Sequence, residues 1–123
     1  MKQLLLVFLG GGLGSAARYG VGMLLTNYRG HWPVGTLGVN IVGSLLIGFI
    51  FALSAKNADL SENTLLFLVA GVCGGFTTFS AFAYENFSYL KNGDILHFIT
   101  YSMGSLVLGL LAVLLGILAA KLL

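Results

Sequence analysis

The sequence predicts an all-α membrane protein: four transmembrane helices per subunit, the third of them broken, in an antiparallel dual-topology dimer. Three observations support this class. Of the 123 residues, 58% are hydrophobic and 8% are charged, whereas about 25% of the residues in a soluble domain are charged, and the mean hydropathy is +0.98. Glycine and hydroxyl residues interrupt one apolar run at residues 71–85, and basic residues are spread almost evenly between the two predicted sides.

Four apolar runs each have the length of about 20 residues that a bilayer core requires. Turn and capping residues separate them. Pro33 suits the first turn of a helix, residues 59–62 resemble a capping box, and Asn92-Gly93 is a turn pair before Asp94, which can cap the next helix. The chain is therefore expected to form a single transmembrane domain, residues 1–123, with helices at about 4–25, 33–54, 64–84 and 95–120.

The N-terminal segment also fits a signal peptide. Lys2 precedes an apolar run, and the small residues 14–17 resemble a cleavage zone. The apolar sequence resumes after Arg18, however, and reaches Leu25, which is long enough for a true span. We therefore expect the first segment to be a transmembrane helix.

The interruption between Gly71 and Glu85 is expected to break the third helix in the middle of the membrane. Residues 71–80 contain three glycines and three hydroxyl residues, and each glycine weakens a helix by about 1 kcal/mol relative to alanine. Carbonyl groups freed inside a bilayer need another partner, so non-helical backbone survives there only in a protein interior or around a bound ion or wet cavity. The break therefore predicts an ion site.

The basic residues give the chain almost no preferred orientation in the membrane. With four spans, Lys2, Lys56 and Lys121 share one side, and Arg29 and Lys91 lie on the other. A difference of one positive residue barely orients a membrane protein under the positive-inside rule. Two copies in opposite orientations are therefore expected to pair about a two-fold axis in the membrane plane, imitating an inverted repeat.

Neutral polar residues cluster in three of the predicted spans: Thr36, Asn40 and Ser44; Thr77, Thr78 and Ser80; and Tyr101, Ser102 and Ser105. All of them can donate hydrogen bonds, and with hardly any acidic residues among them they point towards anion passage. Two alternatives stay open, since a hydroxyl often back-bonds to its own helix and an asparagine can join two helices. Phe79 and Phe82 lie three residues apart, and their positive ring edges can attract an anion, although plain packing is the alternative.

Arg18 and Glu85 are charged residues deep in, or at the margin of, a predicted span. Intramembrane charges are functional candidates. We expect Arg18 to hold a vestibule anion or to bond to backbone at a helix end, and Glu85 to lie at a pore mouth; snorkelling to the interface is the alternative for both. His31 and His97 lack partners nearby in sequence and Cys73 is alone, so no metal cluster is predicted. The net charge of +2, without a basic cluster, indicates no nucleic-acid partner.

Three motifs resemble those of the Fluc (CrcB) fluoride channels of bacteria and archaea, and the similarity covers nearly the whole chain. They are GGLGSAARY at residues 11–19, GTLGVNIVGS at residues 35–44 and GGFTTFSAF at residues 74–82, with Glu85 following. The resemblance implies a four-helix subunit that assembles as an antiparallel homodimer with two separate pores. It also implies passive export of fluoride across the cell (inner) membrane, without enzymatic activity.

The resemblance implies roles for residues near the break. Backbone carbonyls of Gly74 and Thr77 from both subunits would hold a central structural sodium ion. Phe79 and Phe82 would form an aromatic box around fluoride, and Asn40 would donate a hydrogen bond to the fluoride ion. Carbonyl oxygens suit a hard cation such as sodium, as they do in the filters of cation channels.

The remaining polar residues would form a track for the anion, and Glu85 would be the vestibule acid. The resemblance places these residues in the track: Thr36, Ser80, Tyr101 and Ser105. Ala81 stands where many relatives have a hydroxyl residue, so one link of the track is missing. The fourth helix aligns less closely, and Ser102 could take the place of Ser105.

Two other functions remain for comparison. A proton-coupled small multidrug-type exporter is also short, four-helical and dual-topology, but it needs a carboxylate deep in the first helix, where this chain has Arg18 and no acid. A non-transporting assembly subunit would explain the glycines but not the clusters of donors around a break.

Overall fold

The computed structural model describes residues 1–56 and 59–123, and every regular element in these ranges is a helix. The third apolar segment, Glu62–Lys91, consists of two helices with a break between them, and four segments of the described chain are long and apolar enough to cross a membrane. The predicted all-α class with four spans is therefore confirmed. The helices are α1 at Lys2–Leu24, α2 at Val34–Lys56, α3 at residues 62–76, α4 at Phe79–Lys91 and α5 at Ile95–Lys121.

The third segment is broken at Thr77 and Thr78, inside the range of residues 71–85 where the sequence predicts a break. Both residues have extended backbone, with φ −81° and ψ 161° at Thr77 and φ −151° and ψ 121° at Thr78. The glycines before them stay helical: Gly74 has φ −61° and ψ −39°. Weak helix propensity alone does not open the chain at the glycines, because peptide groups that leave a helix inside a bilayer also need new partners.

The middle of α3 is wound more widely than an α-helix. One α-helical turn, Glu62–Leu65, leads into a π-helix at Leu66–Cys73, and a last turn, Gly74–Phe76, ends at the break. The start is capped by Ser61, whose hydroxyl accepts the Thr64 N–H at 3.1 Å; this residue lies inside the predicted capping box but not at its first position. A π-helix is rare and occurs frequently at functional sites, and here it comes directly before the break.

Glycines let α1 and α3 approach until their backbones touch. A Cβ atom placed on Gly10 would lie 2.5 Å from the Phe67 carbonyl oxygen and 2.9 Å from the Gly71 Cα. One turn later, a Cβ atom on Gly14 would lie 2.8 Å from the Phe76 nitrogen. Real Cβ atoms essentially never approach so closely, so both positions require glycine. This contact brings α1 beside the break.

Helices α2 and α5 form the second close pair by the same means. A Cβ atom on Gly48 would lie 3.0 Å from the Val113 Cα, and a Cβ atom on Gly116 would lie 2.8 Å from the Phe49 nitrogen. Helix α2 also contacts α3 and α4. It therefore lies between α5 and the break, and its polar face can reach both.

A tight turn joins α4 to α5. Gly93 has a φ of +71°, a left-handed conformation that glycine adopts without strain. Asp94 caps α5, because its carboxylate bonds the His97 Nδ1 at 2.9 Å and accepts the His97 N–H at 3.2 Å. These hydrogen bonds hold the pKa of Asp94 below its usual value. The turn and the cap lie at the residues where the sequence predicts them, but the expectation that His97 lacks a partner nearby in sequence is wrong, because Asp94 lies three residues before it.

Candidate ion pathway at the helix break

The side chain of Asn40 on α2 bonds the backbone of the break on both sides. Its amide Nδ2 donates to the Thr78 carbonyl at 3.1 Å, and its Oδ1 accepts the Thr78 N–H at 2.8 Å. The amide thereby replaces helical partners that Thr78 has lost. An Asn amide nitrogen carries two hydrogens, so one of them is left over by this pair of bonds. Asn40 therefore stabilises the break and can still donate beside it.

The break releases the two carbonyl groups that the resemblance implies as sodium ligands. In a continuous α-helix the Thr78 N–H would donate to the Gly74 carbonyl, and the Ala81 N–H would donate to the Thr77 carbonyl. Here the Thr78 N–H donates to Asn40, and the Ala81 N–H donates to the Thr78 hydroxyl at 3.3 Å. Both carbonyls have lost the N–H groups that would bond them in a helix. Carbonyl oxygens are ligands that suit sodium.

Arg18 on α1 lies beside the break. Its Nη1 donates to the Thr77 carbonyl at 3.3 Å, and the residue is partly buried. The guanidinium charge therefore stabilises a freed carbonyl at the C-terminal end of α3, where the helix dipole is negative. Of the two roles that the sequence leaves open for Arg18, the structure shows the bond to backbone at a helix end, and a bound vestibule anion stays a prediction.

A groove of about 550 Å³ runs from the break along α2, α4 and α5. Ser44 from the polar face of α2 and apolar residues such as Ile47 and Leu106 form part of its wall. No charged side chain belongs to this described lining, so the groove offers hydrogen-bond donors and ring edges without a fixed charge. It brings together eight of the residues singled out from the sequence: Asn40, Ser44, Thr77, Thr78, Phe79, Phe82, Ser102 and Ser105.

Phe79 and Phe82 of α4 form part of the groove wall. Their ring centroids are 5.8 Å apart with an interplanar angle of 44°, a separation typical of interacting aromatic pairs. Phe82 also packs against the ring of Tyr101 at 5.3 Å, whereas 79% of Phe79 is exposed. Phe82 is thus held within the subunit, and Phe79 presents its ring at the open side of the groove.

Glu85 connects α4 to α2 and α5 beyond the aromatic pair. Its carboxylate accepts hydrogen bonds from the Thr36 hydroxyl at 2.5 Å and from the Tyr101 hydroxyl at 2.7 Å. Glu85 also lines a second hollow of about 400 Å³, together with residues that include Trp32 and Tyr89. Thr36, Tyr101 and Glu85 therefore meet at one point, between the Phe82 end of the groove and this outer hollow, and outside the groove lining itself.

The predicted serines differ in what their hydroxyl groups bond. Ser80 is exposed outside the groove lining, and its Oγ lies 3.2 Å from the Thr78 hydroxyl. Ser102 donates to the Asn86 Oδ1 at 2.8 Å. The Ser105 Oγ is buried without a hydrogen-bond partner among the described residues. Ser105 lies near the Tyr101 hydroxyl but makes no hydrogen bond with it, so its hydroxyl proton can turn into the groove.

Asn86 is a buried polar residue that the sequence analysis misses. It is 7% exposed, and its Nδ2 donates to the Phe82 carbonyl at 2.9 Å. The third span was expected to end at Tyr84, which left Asn86 outside it, whereas α4 continues to Lys91. Its spacing of four residues from Phe82 was the available signal, because residues four apart share a helix face.

The first helix lacks the carboxylate that the exporter alternative needs. Helix α1 contains no Asp or Glu between Lys2 and Leu24, and proton exchange in a membrane depends on an acidic or similar titratable group there. Residues 1–56 and 59–123 also contain no group of three or more His, Cys, Asp and Glu side chains that could hold a metal ion.

Comparisons with known proteins give matches over nearly the whole chain. The family described as "CrcB-like protein, Camphor Resistance (CrcB)" matches residues 5–117. A Gloeothece citriformis protein named "Fluoride-specific ion channel FluC" is 50% identical over 98% of each chain. Proteins of the same name from Chlorobium phaeobacteroides and Phocaeicola vulgatus are 48% and 47% identical, over 98% and 95% of this chain and 96% and 97% of their own. The chain therefore belongs to the CrcB-like family, as a multi-pass membrane protein.

Proposed function

We propose that this chain is the subunit of a fluoride-selective channel that lets fluoride leave the cell passively across the inner membrane. The observation that carries the proposal is near-full-length similarity, at 47% to 50% identity, to three relatives named as fluoride-specific ion channels. The geometry supports it, because a groove lined by donors and two phenylalanines, without a charged side chain, runs beside a helix break. A channel of this kind has no enzymatic activity.

Fluoride is small and strongly hydrated, so a pore must replace its water with other donors, as filters do for other ions. The second Asn40 amide hydrogen and the Ser105 hydroxyl are such donors in the groove. The edges of Phe79 and Phe82 add a weaker positive potential. Weak and distributed donors suit conduction, because binding must be favourable enough for entry and weak enough for exit.

The outer part of the path passes Glu85. The Thr36 and Tyr101 hydroxyls donate to this carboxylate, and they are the next donors that an anion leaving the Phe82 end would reach. Ser80, which is exposed, joins the track only at a surface that a second subunit covers. A potential of about 100 mV, negative inside, favours the exit of a monovalent anion by about 2.3 kcal/mol, so no coupled energy source is needed.

The proposed channel contains a second copy of the chain in the opposite orientation. The even distribution of basic residues supports it. So do the open side of the groove and the exposure of 79% of Phe79 at that side, since a pore through a bilayer must be shielded from lipid. Two subunits would then provide two grooves and two separate pores.

A structural sodium ion belongs to the proposed dimer, held by Gly74 and Thr77 carbonyls of both copies. When bound, the ion would supply positive charge that offsets the negative ends of the half-helices. Support comes from the donors that turn away from these carbonyls, since Thr78 N–H bonds Asn40 and not Gly74. The Arg18 guanidinium already donates to the Thr77 carbonyl, and its positive charge opposes a second cation at that oxygen, so the support rests on the Gly74 carbonyl.

Ion efflux from liposomes tests the proposal. Purified protein is expected to release fluoride, measured with an ion-selective electrode, and to retain chloride. Phe82→Ile should cripple fluoride efflux while the dimer persists in cross-linking, because a ring edge is lost from the groove wall. Phe87→Ile is the matched control on the same helix, at a residue that is 60% exposed and outside the groove lining.

Two results would reject this function. Equal release of both halides, or release of neither, would exclude a fluoride-selective channel. Undiminished efflux from Phe82→Ile would show that the two groove phenylalanines only pack and do not contribute to fluoride passage.

A further inference from the structure

Asn86 lies on α4 and faces α5, and its side chain forms hydrogen bonds with both helices. It is 7% exposed, its Nδ2 donates to the Phe82 carbonyl at 2.9 Å, and its Oδ1 accepts the Ser102 hydroxyl at 2.8 Å. A buried amide without partners would be costly, and these bonds engage both ends of it. Asn86 therefore connects the backbone of a groove phenylalanine to a groove hydroxyl.

The bond to Asn86 sets the direction of the Ser102 proton. A serine hydroxyl has a single proton, and Ser102 gives its proton to Asn86, so it presents only lone pairs to the groove. Ser105 lies three residues later, lines the same groove and has a buried Oγ without a partner among the described residues. It differs from Thr100, whose hydroxyl back-bonds to the Leu96 carbonyl at 2.8 Å. Ser102 therefore presents lone pairs, which repel an anion, and Ser105 can present a proton, which attracts one.

We propose that Asn86 is a positioning residue of the anion path: it withdraws the Ser102 proton from the groove and leaves Ser105 as the serine that donates to fluoride. This inference rests on the proposed channel function. Hydrogen bonds to an ion are stronger than neutral ones, and two adjacent donors would hold a small anion tightly and slow its exit. One donor, Ser105, beside the lone pairs of Ser102 holds the anion more loosely, as conduction requires.

Coupling between Asn86 and Ser105, measured by fluoride efflux, tests this proposal. In the wild-type background Ser105→Ala removes the donor, and we expect efflux to fall about tenfold or more. Asn86→Leu has a similar volume and no acceptor, so it releases the Ser102 proton to the groove. In that background the Ser102 proton replaces the lost donor, so Ser105→Ala should lower efflux by no more than about threefold or should raise it. Adding Ser102→Ala to that double variant should bring back the full loss.

A purely structural role for Asn86 would give a different result. Ser105→Ala would then lower efflux by the same factor in both backgrounds, and that outcome would overturn the proposal. Absence of efflux from the wild-type protein would instead reject the channel function itself, so the two failures are distinguishable.

A second comparison decides the question if Asn86→Leu does not fold. Ser102→Ala removes the donor to Asn86 and should lower the thermal unfolding temperature, yet it should reduce fluoride efflux far less than Ser105→Ala does. Equal loss of efflux from the two alanine variants would show that both protons serve the anion, and the assignment of Asn86 would be wrong.

Discussion

The third segment contacts its neighbours in two different ways along its length. Before the break, backbone meets backbone, as where Gly71 of α3 lies against Gly10 of α1. At the break, polar side chains take over: Arg18 donates to the Thr77 carbonyl, and the Asn40 amide bonds the next residue on both sides. The first contact depends on the absence of side-chain atoms, and the second depends on their chemistry.

The difference follows from the bilayer as a solvent. Lipid tails are as apolar as leucine, so helices gain little from the hydrophobic effect when they associate there, and close van der Waals packing becomes important. A peptide group that leaves a helix finds no water and must be bonded within the protein. Small residues therefore determine where helices can touch, and polar residues determine where a helix can open.

A side chain inserted into the glycine contact should have the largest effect. A Cβ atom on Gly14 would lie 2.8 Å from the Phe76 nitrogen and 3.0 Å from the Val72 carbonyl carbon, and these backbone atoms cannot move aside easily. We expect Gly14→Val to cost about 3 kcal/mol or more and to leave little folded protein in detergent, as measured by thermal unfolding.

Gly22→Val is the matched control for that substitution. A Cβ atom on Gly22 meets nothing within 4 Å, and the residue lies on the same helix. Its unfolding temperature should stay near that of the wild type, and similar losses for both variants would show that the close backbone contact is not the cause.

Loss of the polar contact at the break should have the next largest effect. Asn40→Leu keeps the volume of the side chain but leaves the Thr78 N–H and carbonyl without their partner, at about 1 to 3 kcal/mol for each group. We expect a lower unfolding temperature together with loss of fluoride efflux. Val42→Ala, at a position of α2 that is 48% exposed, is the control. Unchanged stability in Asn40→Leu would mean that the break does not depend on this amide.

The smallest effect is expected at the Asp94 cap, outside the membrane-spanning segments. Its hydrogen bonds with His97 lower the pKa of the folded state, so its contribution to stability is complete above the ordinary pKa of about 3.9. That contribution is lost as the pH falls through the lower folded-state pKa. Asp94→Asn should preserve the cap, since asparagine also caps helices, and should remove this step from a plot of unfolding temperature against pH. Identical plots for the two proteins would contradict the assignment.

The sequence predicts best the features that depend on neighbours along the chain. Four apolar segments follow from composition and length, and the turn at Gly93 and the cap at Asp94 follow from local chemistry. The position of the break is less accessible. Glycines and hydroxyl residues marked residues 71–80 as the weak part of the helix, but the opening occurs at Thr77 and Thr78, where Asn40 bonds from 38 residues away.

The candidate site shows the same limit. Spacing and resemblance together identified Phe82, Ser102 and Ser105, and all three line one groove, while their roles in anion passage stay predictions. Which serine keeps a usable proton could not be inferred from spacing, since it depends on Asn86 on another helix. Asn86 itself was missed because it lies beyond Tyr84, where the third span was predicted to end.

The sequence by itself determined that this is a four-span membrane protein with an interrupted third segment, because apolar length and helix-weakening residues are local properties. Tertiary structure alone decided which peptide groups are bonded at the interruption and which hydroxyl groups are left without a partner among the described residues. Those outcomes depend on side chains that arrive from other helices, such as Arg18 and Asn40. Only the packed arrangement of the helices determines which donors are bonded and which are left over.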